Sequence, residues 1–220
     1  MSTPERWEDA FNREIVSGYY EVVETPGEAD FALVGILSPN GGVGYDAADL
    51  ERGGNGYVPI TLQYGPYKAE HARETSLAGG SPFEDFTNRS YKDKTYSAGN
   101  LPDMEMVVNT RKEMGDKTVV VVVNVSKPMI FSEIEPFADA ILVHMGVQDQ
   151  ALMDLLSGAA EPSGLLPFQM PADMKTVEEQ MEDVPRDMTP YTDAEGHLYD
   201  FAFGLNWNGV ISDERVSRYK

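Results

Sequence analysis

Three acids, Asp46, Asp49 and Glu51, follow the glycine-rich stretch Gly41-Gly42-Val43-Gly44 and are the side chains best equipped for proton chemistry. A carboxylic acid whose pKa is raised by partial burial can protonate a leaving oxygen. Breaking a glycosidic bond takes two carboxyl groups on either side of it, about 5–5.5 Å apart when configuration is retained and farther apart when it is inverted. In a chain with so many acids, the same three side chains can equally be solvated surface. His144 ends an apolar run, where its ring either satisfies backbone or meets a hydroxyl. Asn124 follows a run of valines and either caps a turn or faces a crevice. Tyr45, Tyr57, Tyr64 and Tyr67 either pack internally or stack on the flat face of a sugar.

Other chemistries are poorly served. The 220 residues contain no cysteine, which excludes disulfides, thiolate metal sites and cysteine nucleophiles. The histidines, His71, His144 and His197, are far apart and in no metal-ligand spacing, so no metal or cofactor is expected. The glycine-rich stretch matches neither a dinucleotide fingerprint nor a P-loop, and the acids after it would repel phosphate. With 37 Asp and Glu against 17 Lys and Arg, the formal charge of −20 opposes contact with nucleic acid or an anionic membrane. No apolar run is long enough for a membrane span, and Met1 to Trp7 lacks the basic-then-apolar pattern of a secretory signal. Location is left open, on either side of a bacterial membrane.

The elements that must position these residues read as α/β. A helix is expected from Thr3 and Pro4 to Gly18, with Trp7, Phe11 and Ile15 on one face. Tyr19 to Val23 reads as a short strand before the turn Thr25-Pro26-Gly27. Phe31 to Leu37, Thr118 to Val123 with its five consecutive valines, and Ala140 to Val143 read as strands buried on both faces. Helices are expected over Asp103 to Met114, near Ile134 and Phe137, over Gln150 to Leu156, and over Met174 to Met181. The aromatic stretch from Leu198 to Trp207 should dock on the body of the domain, whereas Glu70 to Ser97 gives no clear element.

Alternating buried strands and helices predict a three-layer sandwich around a mostly parallel, flavodoxin-like sheet in one domain. Ligands of such sheets sit outside the carboxyl ends of the strands. The loops Ser38 to Tyr57, Asn124 to Pro128 and His144 to Asp149 should therefore lie together.

Several motifs, in order, resemble the C-terminal α/β-sandwich domain of glycoside hydrolase family 3, the β-glucosidase and β-xylosidase family. They are Val119 to Val123 followed by Asn124-Val125-Ser126-Lys127-Pro128, and then Ala138-Asp139-Ala140-Ile141-Leu142-Val143. The helix Ala151 to Gly158 precedes Pro162-Ser163-Gly164-Leu165-Leu166-Pro167-Phe168-Gln169-Met170-Pro171, and Phe203-Gly204-Leu205-Asn206-Trp207 closes the series. The likeness spans residues 28–207, leaving a lead-in over 1–27 and a tail over 208–220. It implies carbohydrate hydrolysis of β-linked glycosides, with this domain shaping the sugar site beside an N-terminal (β/α)₈ barrel, in cis or in trans. In the family that barrel carries the aspartate nucleophile in a Ser-Asp-Trp context, and this domain supplies the acid/base glutamate.

The chain departs from the family pattern in three places. It has no Ser-Asp-Trp and no room for a barrel of about 250 residues, so by itself it should lack the nucleophile and be inactive. Val43 stands where many relatives have the acid/base glutamate, so either a neighbour (Asp46, Glu51 or Asp49) takes that role, or the acid/base comes from elsewhere, or this domain is not catalytic. Val147-Gln148-Asp149 replaces the family's Glu-Gly-Gly. The resemblance then implies sugar contacts from Tyr45, Arg52, Asn124, His144 and Gln148, and it leaves room for a homodimer. The alternatives are a sugar-binding or interaction module that kept the sandwich without catalysis, and a flavodoxin-like nucleotide or flavin binder suggested by fold class alone.

Overall fold

The computed structural model describes residues 10–72, 89–181 and 184–218. In chain order the elements are α1 (Arg13–Ser17), β1 (Phe31–Leu37), α2 (Ala47–Glu51), β2 (Tyr67–Lys68), β3 (Thr95–Tyr96), α3 (Leu101–Met114), β4 (Thr118–Asn124), a 3₁₀ turn (Glu135–Phe137), β5 (Ala140–His144), α4 (Asp149–Leu156), α5 (Met174–Glu179), β6 (Leu205–Asn206), β7 (Gly209–Val210) and α6 (Glu214–Ser217).

β1, β4 and β5 form a parallel sheet in that order, with β4 in the middle. The valine run explains the central position. Val119 to Val123 are all buried, and a strand that is apolar on both faces is stable only between two layers. Val119, Val121 and Val123 join Val34, Ile36, Val107 and Met114 on the face covered by α3. Val122 joins Leu152 and Met153 on the opposite face, with Phe11, Ile15, Leu33 and Leu142 packed against them. The α/β sandwich read from the sequence is therefore the architecture observed.

Two expectations near the N-terminus are corrected. The described helix begins only at Arg13, because the Asn12 side chain accepts the amides of Glu14 and Ile15 at 3.0 and 3.3 Å and caps it there. Phe11 lies ahead of this helix, and Thr3, Pro4 and Trp7 fall outside the described residues. Tyr19 to Val23 is not a strand. The amides of Tyr19 and Tyr20 bond back to the Val16 carbonyl, and the Tyr20 ring meets Phe31 edge-on at 5.1 Å.

The C-terminal half wraps the sheet. Met170 accepts the Tyr191 amide and donates to Tyr199, while Phe131, Tyr191, Tyr199 and Phe203 form an aromatic cluster. Only part of the aromatic tail is docked, since Phe201, Leu205 and Trp207 stay exposed. Among the described residues no helix is long and apolar enough to cross a membrane.

Candidate functional site

The parallel register puts Leu37 beside Asn124 and Asn124 beside His144, so the three strands end level with one another. The loops that leave them are stitched together. The Ser38 amide donates to the Asn124 carbonyl at 3.0 Å, and the Val125 amide donates to the His144 carbonyl at 2.8 Å. The Ser126 amide donates to Ser38 Oγ at 3.2 Å. The start of each of the three loops predicted to converge is thus at one sheet edge.

Buried polar groups hold the exit of β1. The Leu37 amide donates to Asp103 Oδ2 at 3.0 Å, and its carbonyl accepts the Tyr64 hydroxyl at 2.6 Å and Asn100 Nδ2 at 3.2 Å. Glu133 in turn accepts the amides of Tyr64 and Gly65 at 2.5 and 2.9 Å. Burial and the neighbouring carboxylates of Asp103 and Glu133 push the Tyr64 phenol far above its ordinary range, so it stays a neutral donor. Tyr64 and Tyr67 are both buried and present no face for stacking, whereas Tyr45 is half exposed.

A crevice of about 270 Å³ opens on the α1/α4 side of this edge, lined by Phe11, Gly35, Asn124, His144, Asp149 and Leu152 among others. His144 Nδ1 accepts the amides of Gly146 and Val147 at 3.2 and 3.3 Å, so in the neutral ring the proton sits on Nε2. Burial holds the imidazole pKa below its usual value, with Asp149 opposing the shift. The result is a neutral ring with one N–H to offer a hydroxyl oxygen. Asp149 itself accepts the Asn12 amide at 2.6 Å. Gln148 precedes α4, is exposed, and caps nothing with its side chain.

The acids lie not on an irregular loop but on a hairpin. Residues 41–46 run antiparallel to 56–61. The Thr61 amide bonds to the Gly41 carbonyl, Val58 to Gly44, and Asp46 to Gly56 at 2.8 Å. Gly41 is required by close approach, since a Cβ there would fall 1.7 Å from the Thr61 carbonyl oxygen. Gly42 has φ +82° and lies against the Tyr96 ring. Tyr45 and Tyr57 meet edge-on across the hairpin at 6.3 Å.

Helix α2 fills the hairpin tip. Asp46 caps it, with Oδ1 accepting the Ala48 amide at 2.9 Å and Oδ2 lying 3.5 Å from Arg52 Nη2. Asp49 accepts the Gly56 amide at 2.9 Å and Lys94 Nζ at 2.6 Å. Those two donors hold the Asp49 carboxyl below the usual carboxylate range. Glu51 is exposed and, among the described residues, its side chain makes no hydrogen bond or ion pair. Val43 is 84% exposed. Tyr45, Asp46, Asp49, Glu51 and Arg52 therefore share the hairpin, while Asn124 and His144 line the crevice.

The sequence reading missed the residues that hold these parts. Lys94 gives no signal because its acceptors are Asp49, Asn55 and the Tyr57 carbonyl, all far away along the chain. Asp103 reads only as the start of a helix, and Asn100 lies outside the elements read from the sequence.

The sequence model of the glycosyl hydrolase family 3 C-terminal domain matches residues 68–207. The chain belongs to this family. Among curated relatives, the probable beta-glucosidase C of Aspergillus flavus is 28% identical over 200 residues, covering 90% of this chain and 24% of the relative. Beta-glucosidase C of Emericella nidulans is 27% identical over 188 residues, 86% of this chain and 22% of the relative. The periplasmic beta-glucosidase/beta-xylosidase of Dickeya chrysanthemi is 25% identical over 120 residues, 54% and 17% of the two chains. The chain thus spans about a quarter or less of the length of these relatives. With fungal proteins among them, the expected bacterial source is not established. The acidic hairpin lies ahead of residue 68, outside the family match, and Lys94 lies inside it.

Proposed function

We propose that this domain shapes the sugar site of a β-glucosidase-like glycoside hydrolase and supplies its acid/base from the hairpin after β1. The observation that carries the reading is positional. A hairpin bearing an unengaged carboxylate, Glu51, leaves the same sheet edge at which Asn124 and His144 line a crevice. Glu51 is the first candidate for the acid/base. Asp46, which already caps α2, is the second, and Asp49, kept ionised by Lys94, is the third. Tyr45 offers a half-exposed ring for a sugar face, and Asn124, His144, Arg52 and Gln148 offer polar contacts.

The nucleophile in this reading is an aspartate on a (β/α)₈ barrel, in cis or in trans. It displaces the aglycone to form a covalent glycosyl intermediate while the hairpin acid protonates the leaving oxygen. The same carboxylate then takes a proton from the attacking water, so configuration is retained. Glu51→Gln and Asp46→Asn, made in the chain joined to such a barrel, test the assignment on aryl β-glycosides. Loss of about a hundredfold or more in one of them supports it. Unchanged activity in both removes it, and measured binding of glucose, xylose or cellobiose without turnover would favour the non-catalytic sugar-binding module.

A further inference from the structure

We infer that Lys94 is a positioning residue for the hairpin acid; this rests on the reading that the hairpin supplies the acid/base. Its ammonium has three acceptors, all on the hairpin: Asp49 Oδ2 at 2.6 Å, Asn55 Oδ1 at 2.5 Å and the Tyr57 carbonyl at 2.7 Å. An ammonium has three donors, and each is used. The side chain is only 25% exposed, so solvent competes weakly for those bonds.

The anchor behind Lys94 is solid. Its carbonyl accepts the Ala69 amide, and the β2–β3 ribbon continues from there with Tyr67 opposite Tyr96. The Tyr96 ring lies against Gly42 at the base of the hairpin. The hydroxyls of Tyr67 and Tyr91 donate to the two oxygens of Glu178 on α5, at 3.1 and 3.0 Å. Lys94 therefore connects the hairpin tip to a ribbon clamped on the C-terminal half. Asp49 and Asn55 bracket Glu51 in sequence, so the bonds that fix them also fix the orientation of α2 and the backbone position that carries Glu51. A displacement of about 1 Å at a catalytic group costs on the order of a hundredfold in rate, so a tether at this point has leverage on the chemistry.

Lys94→Met tests the inference in two settings. In this chain, exchange of the Asp46 and Val58 amides, which close the hairpin, should accelerate about tenfold or more. In the chain joined to its barrel, kcat on an alkyl β-glycoside, whose poor leaving group needs the acid, should fall about tenfold to a hundredfold. KM, and glycosylation by a dinitrophenyl glycoside that needs no acid, should stay within about twofold. Asn55→Ala removes one acceptor and should show the same split to a smaller degree, which keeps the test available if Lys94→Met fails to fold. Equal losses on both substrates, or no loss on either, overturn the positioning role. If Glu51→Gln and Asp46→Asn are also without effect, the acid/base reading has failed and this inference falls with it. If one of them is inactive on the alkyl glycoside and the Lys94 variant is not, only this inference is lost.

Discussion

Lys94 and Asp49, 45 residues apart in sequence, meet at 2.6 Å and join the acidic hairpin to the β2–β3 ribbon. The contact has a pH signature. The folded-state pKa of Asp49 is depressed, chiefly by the Lys94 hydrogen bond and then by the Gly56 amide. Its contribution to stability is therefore present above the unfolded carboxyl pKa, about 3.9, and disappears as pH falls through the folded value. Asp49→Asn should be less stable than wild type at neutral pH, with a difference that shrinks on acidification below about pH 4. Urea titrations across this range check it; a difference independent of pH would show that Asp49 is not held ionised by the fold.

Gly41 is expected to tolerate no side chain. A Cβ would meet the Thr61 carbonyl oxygen at 1.7 Å, and that contact is backbone, which cannot swing aside. Gly41→Ala should open the hairpin and lower the melting temperature, whereas Gly164→Ala, which meets nothing within 4 Å, should leave it nearly unchanged. Equal melting temperatures for the two variants would contradict the hairpin packing.

Tyr64→Phe removes the 2.6 Å bond to the Leu37 carbonyl and leaves that carbonyl with Asn100 alone. The expected loss is about 1–2 kcal/mol by denaturant unfolding, with no change in m-value. A loss near zero would mean the clamp on the β1 exit is not an energetic feature.

The frame of the molecule was legible because its signals are local. Five valines in succession demand a strand covered on both faces, and the apolar face of Leu152 and Met153 demands a partner layer. The sheet register then follows, and with it the shared edge of Ser38, Asn124 and His144. The hairpin was not legible. Glycine, valine and acids at 41–51 have no periodicity, and the order there comes from Thr61, Tyr96 and Lys94, which local pattern cannot connect to it. The N-terminal strand failed for a related reason. Tyr19 and Tyr20 have strand propensity, but their amides close the end of α1 and their rings fill space beside the sheet.

His144 should titrate below the ordinary histidine value of about 6.5, because burial disfavours the charged ring. Its contribution to stability is present above that value and is lost as pH falls through the lower folded pKa. Asp149→Asn should move the midpoint further down, since Asp149 is the group that favours protonation. Proton NMR of the ring across pH 4 to 8 reads both. A midpoint at or above 6.5 in the wild type would contradict a neutral ring at the sheet edge, accepting at Nδ1 and donating at Nε2.

Azide rescue of Glu51→Gln, in the chain joined to a barrel that carries the nucleophile, tests the acid/base assignment most directly. Azide attacks the glycosyl intermediate without needing a general base, so it bypasses the missing carboxylate. The account predicts that azide restores turnover of a dinitrophenyl β-glucoside and yields the β-glucosyl azide. Full activity of Glu51→Gln without azide, or an inactive variant that azide does not rescue, would contradict Glu51 as the acid/base of this hydrolase.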